Sequence, residues 1–204
     1  MGIRSFLSKP LASIIANQQK AWSSKPGETQ QKVFRSIIAK AKETKFGFDH
    51  DFKGINSHKD YIERVPPRDY EGLSPYVKMI LEGKENVLWP GKPVYFAKTS
   101  GTTSGVKYIP ITKDSIPNHI NSARNAILSY IHETGNAQFI DGKLIFLSGS
   151  PVLDQKAGIH TGRLSGIVNH HVPGYLRTNQ LPSYSTNCIE DWEHKLEKII
   201  DETI

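Results

Sequence analysis

Residues 98–110 read Lys98-Thr99-Ser100-Gly101-Thr102-Thr103-Ser104-Gly105-Val106-Lys107-Tyr108-Ile109-Pro110. Five aliphatic hydroxyls, two glycines and two lysines stand between two β-prone runs. One run is Pro93 to Ala97 (PVYFA); the other is Tyr108-Ile109-Pro110-Ile111. That order predicts strand, glycine-rich loop, strand. Backbone amides at tight glycine turns, hydroxyl donors and a lysine are the groups that hold phosphate. Gly101 and Gly105 permit backbone angles that residues with a Cβ resist, and they admit a ligand close to the main chain. Thr99, Ser100, Thr102, Thr103 and Ser104 are hydroxyl donors, and Lys107 adds a point charge. The spacing departs from the G-x-x-x-x-G-K-[ST] phosphate loop: three residues separate the glycines, and Val106 precedes the lysine. A strand, not a helix, is expected to follow. A plain linker has no use for so many donors in so few residues, so the phosphate reading is preferred to it.

Upstream of the loop the apolar spacing is helical. Leu11, Ile14, Ile15, Gln18 and Trp22 form one stripe over residues 10–23, with Pro10 near the helix start and Pro26-Gly27 as the break. Val33, Phe34, Ile37, Ile38 and Ala41 predict a second helix closed by Gly47. Ser57 and Asp60 form a capping-box pattern for a short helix to Arg64. Ser74-Pro75 is read as the start of a further helix, with Gly83 at its end. Trp89 is expected to wall the core beneath the following strand, and Tyr95 and Phe96 to face opposite sides of the sheet.

Downstream, Asp114 or Ser115 is expected to cap a long helix with the stripe Ile116, Ile120, Ala123, Ile127, Tyr130 and Ile131, ending at Gly135. Leu144-Ile145-Phe146-Leu147 predicts a strand covered on both faces. Residues 149–186 are rich in Gly, Pro, Ser and His and carry no assignable period. Within them Gly158, Gly162 and Gly166 predict a loop or tightly packed turn. Asn187 to Glu190 suggests another capping box, opening a helix with the stripe Ile189, Trp192, Leu196, Ile199 and Ile200.

Composition narrows the class. Hydrophobic residues make up 37% and charged residues 23% of the 204, enough apolar side chains for a core and too few charges for a disordered tail. The net charge of +6 arises in the first fifty residues, where nine Lys/Arg face three Asp/Glu. A solvated helix face accounts for such an excess, and no nucleic-acid signature accompanies it. The single cysteine, Cys188, excludes an internal disulfide and points to a reducing compartment. The first residues have no signal-peptide pattern, and no apolar run approaches the ~18 residues of a membrane span. A cytoplasmic protein is expected. His160, His170 and His171 lack the convergent partners of a zinc site, so no metal ligand is assigned. Asp154, His160 and Ser165 lack the elbow of a hydrolase triad.

The stretch YFAKTSGTTSGVKYIPIT resembles the phosphate loop of the adenylate-forming superfamily, T-S-G-T-T-G-x-P-K. Its extra Ser and K-Y-I-P ending look like the bacterial branch of the auxin-responsive Gretchen Hagen family of acyl acid–amido synthetases. TKFGFDHDF, VPPRDYEGLSPYV and NVLWPGKPVYFAKTSGTTSG follow that family's N-terminal order, over about residues 30 to 150. The resemblance implies an α/β fold: an N-terminal helical layer (1–85), then part of a mixed-sheet adenylate-forming domain (86–204) with the phosphate loop at 98–108. It implies a ligase that uses ATP and Mg²⁺ to activate a carboxylic acid as an acyl-adenylate and passes the acyl group to an amine, usually an amino acid's. Thr99, Ser100, Gly101, Thr102, Thr103, Ser104, Gly105 and Lys107 are the implied ATP contacts. The family's aromatic-Thr-Glu segment, ribose-binding aspartate and C-terminal catalytic lysine have no counterpart here, so catalytic residues are not assigned. The chain is expected to be the N-terminal part of a longer enzyme or a shortened homologue, inactive alone. Two other readings stay open: a phosphate-binding module without turnover, and a helical interaction domain docking through its basic first fifty residues. The acyl and amine substrates and the oligomeric state are not specified.

Overall fold

The computed structural model describes residues 2–99 and 105–204. In chain order its elements are α1 (Ile3–Ser23), α2 (Pro26–Ala41), α3 (Lys45–Asp49), α4 (His58–Arg64), α5 (Tyr70–Leu81), β1 (Tyr95–Lys98), β2 (Tyr108–Ile111), α6 (Ile116–Thr134), β3 (Leu144–Ile145), β4 (Asp154–Lys156), β5 (Ile159–Arg163), α7 (Leu164–Asn169), α8 (Gly174–Arg177), β6 (Gln180–Leu181), α9 (Tyr184–Asn187) and α10 (Trp192–Thr203). This is the α/β class expected, with helices first and a mixed set of strands after. The residues divide into two units. One comprises Trp22–Lys113 and Gln155–His160; the other comprises Met1–Ala21, Asp114–Asp154 and Thr161–Ile204.

The first unit carries the hairpin around the hydroxyl-rich loop. β1 and β2 pair antiparallel with Tyr95 opposite Ile111 and Lys98 opposite Tyr108, and the strand order is β2-β1-β5-β4. β2 lies at the edge, where Pro110 leaves no ladder donor missing. β1 is interior, and both Phe96 and Ala97 are buried. Phe96 packs with Val77 and Ile80 of α5, Val87 and Ile159 of β5. Tyr95 turns the other way, its ring 6.2 Å from that of His160, as the alternation predicts.

A second cluster in this unit joins Ile38 and Ala41 of α2 to Phe52 and Ile55. Trp89 packs here, with Lys40 over its ring, and not under β1 as the sequence suggested. α2 ends at Ala41, so Gly47 does not close it. Gly47 lies in α3, where an added Cβ would sit 2.2 Å from the Ala41 carbonyl oxygen. Thr44 caps α3: its hydroxyl accepts from the Gly47 amide at 3.0 Å and donates to Ala41 O at 2.7 Å. The Ser57–Asp60 capping box of α4 is present as predicted. α5 starts earlier than Ser74. Its cap is Asp69, which accepts from the Gly72 amide, and Pro75 lies inside the helix. Tyr76 of α5 donates to Asp49 at 2.9 Å; burial first, then that carboxylate, push the Tyr76 phenol up.

In the second unit α1 begins at Ile3, seven residues before Pro10, which the helix contains. Its inner face is also rotated from the expected stripe. Ser5, Ser8, Ala12 and Ile15 are buried, whereas Leu11 and Ile14 are 44% and 55% exposed. Ala12 and Ile15 of α1 pack with Leu128 and Ile131 of α6. α6 ends at Gly135 in the left-handed conformation, as predicted. β3 pairs parallel with β6. It spans only two residues, and the chain past it is not covered on both faces: Ile145 and Leu147 are 62% and 63% exposed. The final helix is capped by Asp191, which accepts from the His194 amide at 2.8 Å, not by Asn187. It buries Lys195 and Ile199 and leaves Trp192 outward. Lys195 donates to Asn187 O at 2.8 Å, and burial pushes its ammonium down from the usual lysine range.

The segment without a legible period resolves into β4 to α9. β4 and β5 are joined by Ala157 and Gly158, both at positive φ (52° and 72°), the backbone of a tight hairpin turn. Gly166 is a close-packing glycine, since a Cβ there would lie 2.1 Å from the Ser150 carbonyl oxygen.

The start of α1 is held by a distant carboxylate. Asp141 accepts from the Gly2 amide at 2.7 Å and the Ser5 amide at 3.1 Å. Hydrogen bonding from Ser5, side chain before amide, holds the Asp141 carboxyl below the ordinary aspartate value of 3.8. Its stabilising effect is complete above that value and is lost as pH falls through the lower folded one. Asp141→Asn is expected to flatten this limb of the acid-unfolding curve, measured by thermal unfolding at a series of pH values.

Candidate functional site: the hydroxyl-rich hairpin

The hairpin pairing continues one step past the strands. The Thr99 amide donates to Lys107 O at 3.1 Å, so Thr99 and Lys107 face each other at the neck of the loop. Gly105 has φ +78°, with open space where a Cβ would point. That angle requires glycine on backbone grounds and leaves room for an incoming group. Ser100, Gly101, Thr102, Thr103 and Ser104 lie outside the described residues. Of the predicted contacts, the structure therefore places Thr99, Gly105 and Lys107, and it brings them to one neck.

Two tyrosines support that neck. Tyr70, the first residue of α5, accepts from the Tyr108 amide at 3.0 Å. This ties the outgoing strand to the helix. The Tyr70 ring also lies under Lys107, whose Nζ is 5.1 Å from the centroid. Tyr108 packs edge-on against Phe96, with centroids 6.0 Å apart. Lys156 of β4 donates to the Tyr108 hydroxyl at 3.2 Å and lies 4.3 Å from its ring centroid. Lys156 was not predicted. It sits nearly fifty residues on, in the segment with no readable period, and only its place before Ala157-Gly158 hints at a hairpin. Among the described residues no group of three or more His, Cys, Asp or Glu side chains could hold a metal ion.

The neck thus gathers positive charge, a left-handed glycine and a strand-loop-strand frame. Residues 15–195 match the model of the GH3 family N-terminal domain. The chain belongs to the GH3 family. Its relatives in that family include the indole-3-acetic acid-amido synthetase GH3.3 of Arabidopsis thaliana, 28% identical over 86 residues, which are 42% of this chain and 14% of that protein. Among solved structures, a GH3.15 acyl acid amido synthetase superposes with a TM-score of 0.75 at 15% identity, covering 91% of this chain and 32% of that one. AtGH3.15 acyl acid amido synthetase in complex with 2,4-DB gives 0.62 at 20% identity, covering 79% and 28%. These likenesses establish the fold. This GH3 chain spans a third or less of the length of the relatives it matches. No helix among its described residues is long and apolar enough to cross a membrane.

The Tyr70 hydroxyl fixes the outgoing strand to α5 through the Tyr108 amide. Tyr70→Phe keeps the ring under Lys107 and removes the acceptor for the Tyr108 amide. It is expected to lower unfolding stability by about 1 kcal/mol in urea titration.

Proposed function

We propose that this chain carries the ATP phosphate-binding part of an acyl acid–amido synthetase. In the first step a substrate carboxylate attacks the α-phosphate of ATP and pyrophosphate leaves, giving an acyl-adenylate. In the second, an amine attacks the acyl carbon, the amide forms and AMP leaves. The reading rests on family membership and on the relatives' names, which specify acyl acids and amide synthesis. The observation that carries it is the neck geometry: Thr99 and Lys107 bonded across an antiparallel hairpin, with left-handed Gly105 between loop and strand.

The first step brings a carboxylate against a polyanion, so it needs fixed donors near the charge that moves. Thr99, Ser100, Thr102, Thr103 and Ser104 supply hydroxyls, Gly101 and Gly105 supply accessible amides, and Lys107 supplies an ammonium. Hydroxyls suit this task because they reorient without cost in charge. Mg²⁺, bound with the nucleotide, would supply further charge neutralisation at the phosphates, beside the hydroxyls of Thr99, Ser100, Thr102, Thr103 and Ser104.

Replacing Ser100 and Thr103 together by alanine removes two donors and leaves both glycines and the lysine. Calorimetric titration with ATP and Mg²⁺ is expected to show affinity about tenfold weaker, with the thermal midpoint unchanged. Equal affinities for the variant and the parent would refute the assignment.

A further inference from the structure

Several lysines of the first unit are ion-paired. Lys45, Lys53, Lys84 and Lys92 each face a carboxylate, on Asp49, Glu43, Glu82 and Glu85 respectively. Lys107 and Lys156 do not. Among the described residues their partners are aromatic: the Tyr70 ring for Lys107, the ring and hydroxyl of Tyr108 for Lys156. The two tyrosines are themselves joined, through the Tyr108 amide and the Tyr70 hydroxyl. A chain of four side chains therefore holds two uncompensated cations beside one strand at the neck of the loop.

A cation over an exposed aromatic face is held only weakly. Charge-assisted hydrogen bonds to phosphate oxygens are stronger. Both ammonium groups thus stand to gain when an anion arrives, and neither has to break an ion pair first. Lys156 is presented by a turn in which Ala157 holds φ 52°, an angle unfavourable for a residue with a Cβ.

We propose that Lys156 is a second cation of the phosphate site, acting with Lys107 on the polyphosphate end of a nucleotide. This rests on the reading of residues 98–108 as an ATP loop and adds to it a residue from the β4–β5 hairpin. The ligand class is a polyphosphate: the β- and γ-phosphates of ATP or inorganic pyrophosphate, as distinct from the base, ribose or α-phosphate.

The test titrates the 204-residue chain and its variants with ATP, inorganic pyrophosphate and AMP, each with Mg²⁺. Lys156→Ala is expected to weaken ATP and pyrophosphate binding about tenfold and AMP binding by about twofold or less. Lys156→Gln, which retains a polar contact with Tyr108, is expected to match it, and Lys156→Arg to recover most of the loss. Lys92→Ala, which removes a carboxylate-paired lysine of the same unit, is expected to change nothing. Circular dichroism of each variant reports the fold. Unchanged ATP and pyrophosphate affinity in both Lys156→Ala and Lys156→Gln overturns the proposal, as does an equal loss for AMP or for Lys92→Ala. If the Ser100/Thr103 double variant weakens ATP binding while the Lys156 variants do not, the loop reading stands and Lys156 alone is excluded. Absence of ATP binding by the unmodified chain overturns both.

Discussion

The burial of β1 on both faces is the constraint on which the candidate site depends. A strand with Phe96 packed under α5 on one side, and Tyr95 against His160 on the other, has no freedom to shift by one residue. Such a slip would exchange the two faces. β2 inherits this register through its pairing with β1, and the neck residues Thr99 and Lys107 inherit it in turn. A loop rich in small polar residues has little structure of its own to offer. Here its ends, Thr99 and Lys107, are set by an apolar core a few residues away.

Charge is arranged on the same frame. Elsewhere in the unit, Lys45, Lys53, Lys84 and Lys92 face nearby carboxylates. At the neck, aromatic rings hold the ammonium groups in place and leave their charge uncancelled. This differs from a surface ion-pair network, in which each cation is already satisfied. The arrangement at the neck would suit the proposed anion site: geometry comes from ring contacts and from one amide–hydroxyl bond, and electrostatic potential would be retained for the ligand.

Much of the hairpin was legible because its signals are local. The β-prone runs, the two glycines and the hydroxyls lie within one short stretch, and Gly105 takes the left-handed angle that its type permits. The Ser57–Asp60 box and the Gly135 stop were legible for the same reason, since each needs only neighbours in the chain. Signals that depend on which of several similar residues wins were less clear. Asp69 outcompetes Ser74 as a cap, and Asp191 outcompetes Asn187, because each starts its helix at a point chosen by packing and not by residue type. In α1 the periodicity is helical but the face differs: Ser5 turns inward to Asp141, and Ala12 with Ile15 meets Leu128 and Ile131. The β4–β5 turn was hidden because Ala157 holds an angle usually left to Gly, Asn or Asp.

The sequence by itself determined the donor types of the loop and its two flanking strands by residue type and short spacing, and the family and the α/β class through resemblance. Only the tertiary structure decided that Tyr70 and Lys156 belong beside that loop, each against Tyr108. Their separation along the chain erases any pattern, and only the folding of α5 and the β4–β5 hairpin against β1 and β2 brings a hydroxyl and a second ammonium to the neck.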